Sequence, residues 1–145
     1  MFKDLNGTAF KFIGPSDGPV VVMIHGLGLN QDCWQWTSPT LAQKYRVLTY
    51  DLYGHGLTIS PPSNPSLSLF SKQLVEMLDY CNIQTATILG FSLGGMIARR
   101  FAQDFPKKTD ALIILHSPHR RTLDAQRAIL KRVAQARHEG PQSTV

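Results

Sequence analysis

Long hydrophobic runs are missing from this sequence. No apolar stretch approaches the roughly 20 residues that cross a bilayer, and the start, Met1-Phe2-Lys3-Asp4-Leu5-Asn6, lacks the apolar core of a secretory signal. These absences predict a cytoplasmic protein with no membrane partner. Cysteine is equally scarce: Cys33 and Cys81 have no metal-ligand spacing, nor do the five histidines, so no metal is expected and both cysteines are expected as free, buried thiols. No Gly-x-Gly-x-x-Gly follows a first strand, which argues against a dinucleotide, and no other cofactor is implied. Internal repeats and low-complexity tracts are absent too.

Acidic residues are thin at one end only. Through Leu115 there are nine Lys and Arg against eight Asp and Glu, whereas residues 116–145 hold six against two, so most of the net charge of +5 sits in the last thirty residues. Its carriers, Arg120, Arg121, Arg127, Lys131, Arg132 and Arg137, are interleaved with no aromatics and match no nucleic-acid motif. A solvated helix face is the better reading, and no nucleic-acid partner is expected. With 43% hydrophobic and 17% charged residues, the 145-residue chain has the balance of one globular domain.

What the sequence does contain is organised around Gly90-Phe91-Ser92-Leu93-Gly94-Gly95. Before it, residues 86–89 are short, apolar and partly β-branched; after it, Ile97, Ala98, Phe101, Ala102 and Phe105 recur at the spacing of one helix face. A strand therefore turns sharply into a helix with a serine at the corner. Such a corner strains its central residue and crowds its neighbours, which calls for the small residues Gly90 and Gly94 on either side. It lifts the Ser92 hydroxyl to the positive end of the helix and aims the Leu93 amide at the space where an oxyanion forms. That is the arrangement of an acyl-transfer nucleophile.

Upstream, residues 2–5 and 8–13 around Asn6-Gly7 read as an edge hairpin closed by a two-residue turn. Residues 20–24 are continuously apolar, as in a strand buried inside a parallel sheet. They run into His25-Gly26-Leu27-Gly28, where Gly26 and Gly28 let the backbone bend close to a ligand and Leu27 is the candidate second oxyanion donor. His25 at the start of this loop reads as a hydrogen-bonded anchor rather than a catalyst. Trp34 and Trp36 fit either a pocket wall or the core. Residues 46–51 are the next strand; Asp51, entering the turn Leu52-Tyr53-Gly54-His55-Gly56, reads as a turn cap. A helix is predicted over residues 68–80, a buried strand over 111–115, and an amphipathic helix over 122–137 with Leu123, Ile129, Leu130, Val133 and Ala134 on its apolar side. Strands alternating with helices predict an α/β fold, a mostly parallel sheet with helices on both faces and an N-terminal β-hairpin.

Together, His25-Gly26-Leu27-Gly28, Asp51-Leu52-Tyr53-Gly54-His55-Gly56 and Gly90-Phe91-Ser92-Leu93-Gly94-Gly95 resemble, in order, the oxyanion loop, the turn after the fourth strand and the nucleophile elbow of the α/β-hydrolase family. Tyr53 stands where many members have proline. The resemblance implies a serine hydrolase of carboxylesterase or lactonase type, acting on a small-molecule acyl substrate, with Ser92 as nucleophile and Leu27 and Leu93 as oxyanion donors. It also implies that residues 1–117 are about six strands of an eight-stranded core and residues 118–145 the start of a helical cap. The family's acid and histidine sit on later loops, so the triad is expected to be incomplete here. His116 or His119, oriented by Asp124, is a candidate improvised base. The alternative is an inactive fragment or a binding and assembly module that keeps the fold. The apolar last strand predicts self-association through an unpaired sheet edge.

Overall fold

The computed structural model describes residues 1–120 and 122–140. Arg121, one of the basic residues counted above, and residues 141–145, the end of the expected cap segment, lie outside the described residues.

The chain opens with an antiparallel pair, Phe2–Lys3 (β1) and Ala9–Ile13 (β2), in which Phe2 faces Phe10 and Lys3 faces Ala9. The expected two-residue Asn-Gly turn is replaced by a wider reversal over residues 4–8. Its cause is Asp4, whose Oδ1 accepts the Asn6 amide at 2.9 Å and the Thr8 amide at 2.8 Å and so draws the chain around a carboxylate.

Val20–Ile24 (β3), Arg46–Tyr50 (β4), Ala86–Phe91 (β5) and Thr109–Leu115 (β6) complete a six-stranded sheet in the order β1-β2-β4-β3-β5-β6. The β2–β4 pair is antiparallel; β4–β3, β3–β5 and β5–β6 are parallel. β3 is central because both its faces are apolar. Its period of two divides the core: Val22 and Ile24 join Leu48, Tyr50, Ile88 and Phe101 on one face, and Val21 and Met23 join Trp34, Val47 and Leu89 on the other.

Helices cover the first face and short turns the second. Leu67–Tyr80 (α2) and Leu93–Asp104 (α3) place Phe70, Leu74, Met77, Leu78, Ile97 and Phe101 into the larger cluster. A 3-10 turn at Gln31–Trp34 and the four-residue helix Ser38–Leu41 (α1) close the other side. Ser66 caps α2, its hydroxyl accepting the Leu69 amide at 3.1 Å. Asn82, left-handed at φ 54°, ends that helix by directing the Ile83 amide back to the Leu78 carbonyl at 2.8 Å.

Several expectations are corrected. β6 is longer than predicted and is not buried: it is the outermost strand, and Leu112, Ile113 and Leu115 stay exposed because, among the described residues, no strand lies beyond it. The last helix, Leu123–Glu139 (α4), forms as expected, and none of its residues is buried. The cysteines are free, but Cys33 is exposed and Cys81 half-buried. Trp34 packs in the core, and Trp36 is 84% exposed and so lies outside it. Among the described residues, no helix is long and apolar enough to cross a membrane.

Candidate active site

Two adjacent strands end together at the carboxyl edge of the sheet. Ile24 of β3 is in register with Gly90 of β5, so the loop after β3 and the corner after β5 leave the sheet side by side. β4 and β5 flank β3 on opposite sides, which makes this edge the crevice where open α/β sheets bind ligands.

The corner is as sharp as the glycine pattern requires. Ser92 sits at φ 53° and ψ −114°, a region that L-residues with a side chain rarely occupy and that costs about 1–3 kcal/mol unless the surroundings enforce it. The enforcement is visible. The Ser92 amide donates to the Leu115 carbonyl at 3.0 Å, and its own carbonyl accepts the Gly95 amide at 3.0 Å and the Met96 amide at 3.3 Å. A Cβ on Gly90 would strike the Gly94 carbonyl, and one on Gly94 would strike the Ile24 carbonyl oxygen, with the His25 carbonyl oxygen at 2.7 Å. A serine in this position ordinarily caps the helix with its hydroxyl. Ser92 makes no side-chain cap bond, and its half-buried hydroxyl stays available at the positive end of α3.

The loop after β3 lies against that corner. Gly26 permits the approach: a Cβ there would sit 3.1 Å from the Phe91 ring and 3.4 Å from the Ser92 Cβ. Gly28 adopts φ 75° in open space, and the Leu27 side chain points outward, 75% exposed. Among the described residues, neither the Leu27 nor the Leu93 amide donates to a protein acceptor.

His25 and Asp51 are anchors, as their positions in the sequence suggested. His25 is fully buried; its Nε2 accepts the Leu52 amide at 3.1 Å, which leaves Nδ1–H to donate to the Gly26 carbonyl at 2.8 Å. Burial lowers its pKa below the ordinary 6.5, helped by the nearby His55 and opposed by the Gly26 bond and Asp51. The folded state therefore binds the proton less readily than the unfolded chain. Stability from His25 is full above the ordinary imidazole value and falls as pH drops through it. Urea unfolding between pH 8 and 5 should show this decline, and His25→Asn should remove it. Asp104, held low by its Arg100 hydrogen bond and then by the Ser71 hydroxyl, contributes only further into acid.

Asp51 ties more than a turn. Its carboxylate accepts the Gln31 amide at 2.7 Å, the Gln31 Nε2 at 3.1 Å and the Leu57 amide at 2.9 Å, joining the loops after β3 and β4. Asp51→Ala leaves these buried donors unpaired and should cost about 3 kcal/mol or more. Asp51→Asn, which keeps one acceptor, should lose less by urea midpoint.

The structure does not join the other candidates to Ser92. His116, left-handed at φ 46°, and His119 are exposed beyond β6, and among the described residues neither hydrogen-bonds to Ser92. Asp124 accepts from Arg127 at 3.4 Å and orients no histidine. The segment after β6 is held instead by Arg99, whose guanidinium donates to the Ser117 hydroxyl at 3.1 Å and to the Pro118 carbonyl. Sequence reading also passed over His55, which reaches across to the Gly28 amide at 3.2 Å, and Gln73, buried and bonded to the Tyr53 amide at 3.2 Å and the Asp51 carbonyl at 3.1 Å. Only a buried polar residue on the inner face of α2 hinted at Gln73. Two surface hollows, one beside Tyr53, Lys72 and Glu76 and the other beside Pro19, Arg46 and Asp110, include neither Ser92 nor Leu27.

The family description "alpha/beta hydrolase fold" matches residues 19–138. The chain belongs to the alpha/beta hydrolase fold family. Relatives of this hydrolase-fold chain include a pimeloyl-[acyl-carrier protein] methyl ester esterase of Aliivibrio fischeri, 39% identical over 104 residues, covering 70% of this chain and 37% of the relative. A 3-oxoadipate enol-lactonase 2 of Acinetobacter baylyi is 29% identical over 108 residues, covering 74% and 40%. The crystal structure of the enol-lactonase from Burkholderia xenovorans superimposes with a TM-score of 0.85 at 22% identity, covering 94% of this chain and 52% of that one. The hydrolase-fold chain thus spans about a third of the length of curated relatives it matches and about half that of solved neighbours.

Proposed function

We propose that this chain carries the nucleophile and oxyanion donors of a serine acyl hydrolase for small esters or lactones, with the catalytic triad incomplete within it. The observation that carries the reading is Ser92, strained at φ 53° beside a loop whose amide is unclaimed. Ser92 Oγ attacks the substrate carbonyl carbon and gives its proton to a general base that no described residue supplies at Ser92; the carbonyl oxygen takes the negative charge and is held by the Leu27 and Leu93 amides. Collapse expels the alcohol with that proton, and water then releases the acid from the acyl-serine. The ester and lactone chemistry named for the esterase and lactonase relatives supports this substrate class.

A fluorophosphonate probe tests the reading. Covalent modification mapped to Ser92 by mass spectrometry is the expected result; folded protein left unmodified overturns it. The second reading, a chain that keeps the fold without turnover, draws on the absence of a histidine bonded to Ser92 among the described residues. It predicts labelling no faster than that of an ordinary surface serine.

A further inference from the structure

The loop that supplies the Leu27 amide is a short stretch between two glycines, exposed and with open space around Gly28, so something must hold its shape. Inside the loop, the Leu29 amide donates to the Gly26 carbonyl at 3.2 Å, which closes a turn with Leu27 and Gly28 at its centre. The turn is gripped from outside at each end. At Gly26 the carbonyl takes the His25 Nδ1–H at 2.8 Å; at Gly28 the amide donates to Nε2 of His55 at 3.2 Å. The two rings lie against each other with centroids 5.2 Å apart.

The His55 bond fixes its tautomer. An Nε2 that accepts from Gly28 carries no proton, so Nδ1 carries it and donates to the Tyr53 carbonyl at 3.0 Å. The Gly54 and Gly56 turn around it is locked to the Thr58 and Asp51 network through the Leu57 amide and the Thr58 hydroxyl. The Gly28 amide thus rests on a braced acceptor.

Resting on the proposed acyl-hydrolase reading, we infer that His55 is a positioning residue for the oxyanion loop: by accepting the Gly28 amide it holds the 26–29 turn so that the Leu27 amide stays directed at the Ser92 corner. An acceptor at this point is needed because Gly28, at φ 75° with open space where a Cβ would stand, has the His55 ring as the one partner of its amide among the described contacts. A misplacement of about 1 Å in a catalytic donor can cost up to a hundredfold in rate.

The test uses the full chain and has two independent arms. In nitrogen NMR, wild-type His55 should appear as the Nδ1–H tautomer with Nε2 as acceptor, and the Gly28 amide should exchange slowly with solvent. His55→Leu should speed Gly28 exchange at least tenfold and slow fluorophosphonate modification of Ser92 by about ten- to a hundredfold, whereas His55→Gln, whose amide oxygen can accept, should restore both toward wild type at an equal melting temperature. An Nε2–H tautomer in the wild type, or unchanged Gly28 exchange in a folded His55→Leu protein, overturns the inference. Failure of wild-type Ser92 to react overturns the hydrolase reading instead, and leaves the tautomer and exchange arms to decide the role of His55.

Discussion

Gly94→Ala should abolish cooperative folding. The added methyl would land on the Ile24 carbonyl oxygen, with the His25 carbonyl oxygen and the Ile24 carbonyl carbon each at 2.7 Å. All three belong to backbone at the end of the central strand, so no flexible side chain can yield, and α3 must lift off β3. Separating those elements opens the cluster that holds Ile97, Ala98 and Phe101 against Ile24 and Ile88. The expected loss, about 4 kcal/mol or more, approaches or exceeds the lower end of the 5–15 kcal/mol by which domains are stable. Gly28→Ala is the matched control: its methyl meets nothing within 4 Å, and only the left-handed backbone opposes it, at about 1–2 kcal/mol. Urea unfolding followed by circular dichroism should show a transition for Gly28→Ala and none for Gly94→Ala. Equal midpoints for the two would show that the close approach of α3 to β3 is wrong.

Replacing Ser92 should separate strain from chemistry. Ser92→Gly removes the side chain from an unfavourable backbone region and should raise stability by about 1–3 kcal/mol while eliminating all modification by fluorophosphonate. Ser92→Ala should be equally unreactive but should gain none of that stability, because alanine keeps the Cβ. The gap between the two melting temperatures therefore reads the strain stored at the corner, independently of any activity. Ser92→Gly melting at or below Ser92→Ala would mean that the corner is relaxed.

The corner was legible because its demands are local. Gly90, Ser92 and Gly94 are set by a bend within one short stretch, and the flanking strand and helix announce themselves by their own periodicities. His25 and Asp51 were legible as anchors for a related reason: a polar residue at the end of a buried strand must find partners in the loops it enters. Less could be read where distant groups compete. The Asn6-Gly7 turn was predicted from its favoured dipeptide, but the carboxylate of Asp4 took the local amides and widened it. The apolar run of β6 predicts a buried strand and the strand is exposed, since hydrophobicity states what a surface can cover and not what covers it. His55 was invisible as a partner of Gly28 because 27 residues of chain separate them and only the pairing of β3 with β4 brings their loops together.

The central claim is spatial: the Ser92 hydroxyl and the amides of Leu27 and Leu93 surround one point in space. A crystal structure of the protein after reaction with a fluorophosphonate measures this directly. The phosphonyl oxygen should lie about 2.7–3.1 Å from both amide nitrogens, with phosphorus bonded to Ser92 Oγ. A phosphonyl oxygen turned to solvent, or a Leu27 amide directed away from it, would contradict the account.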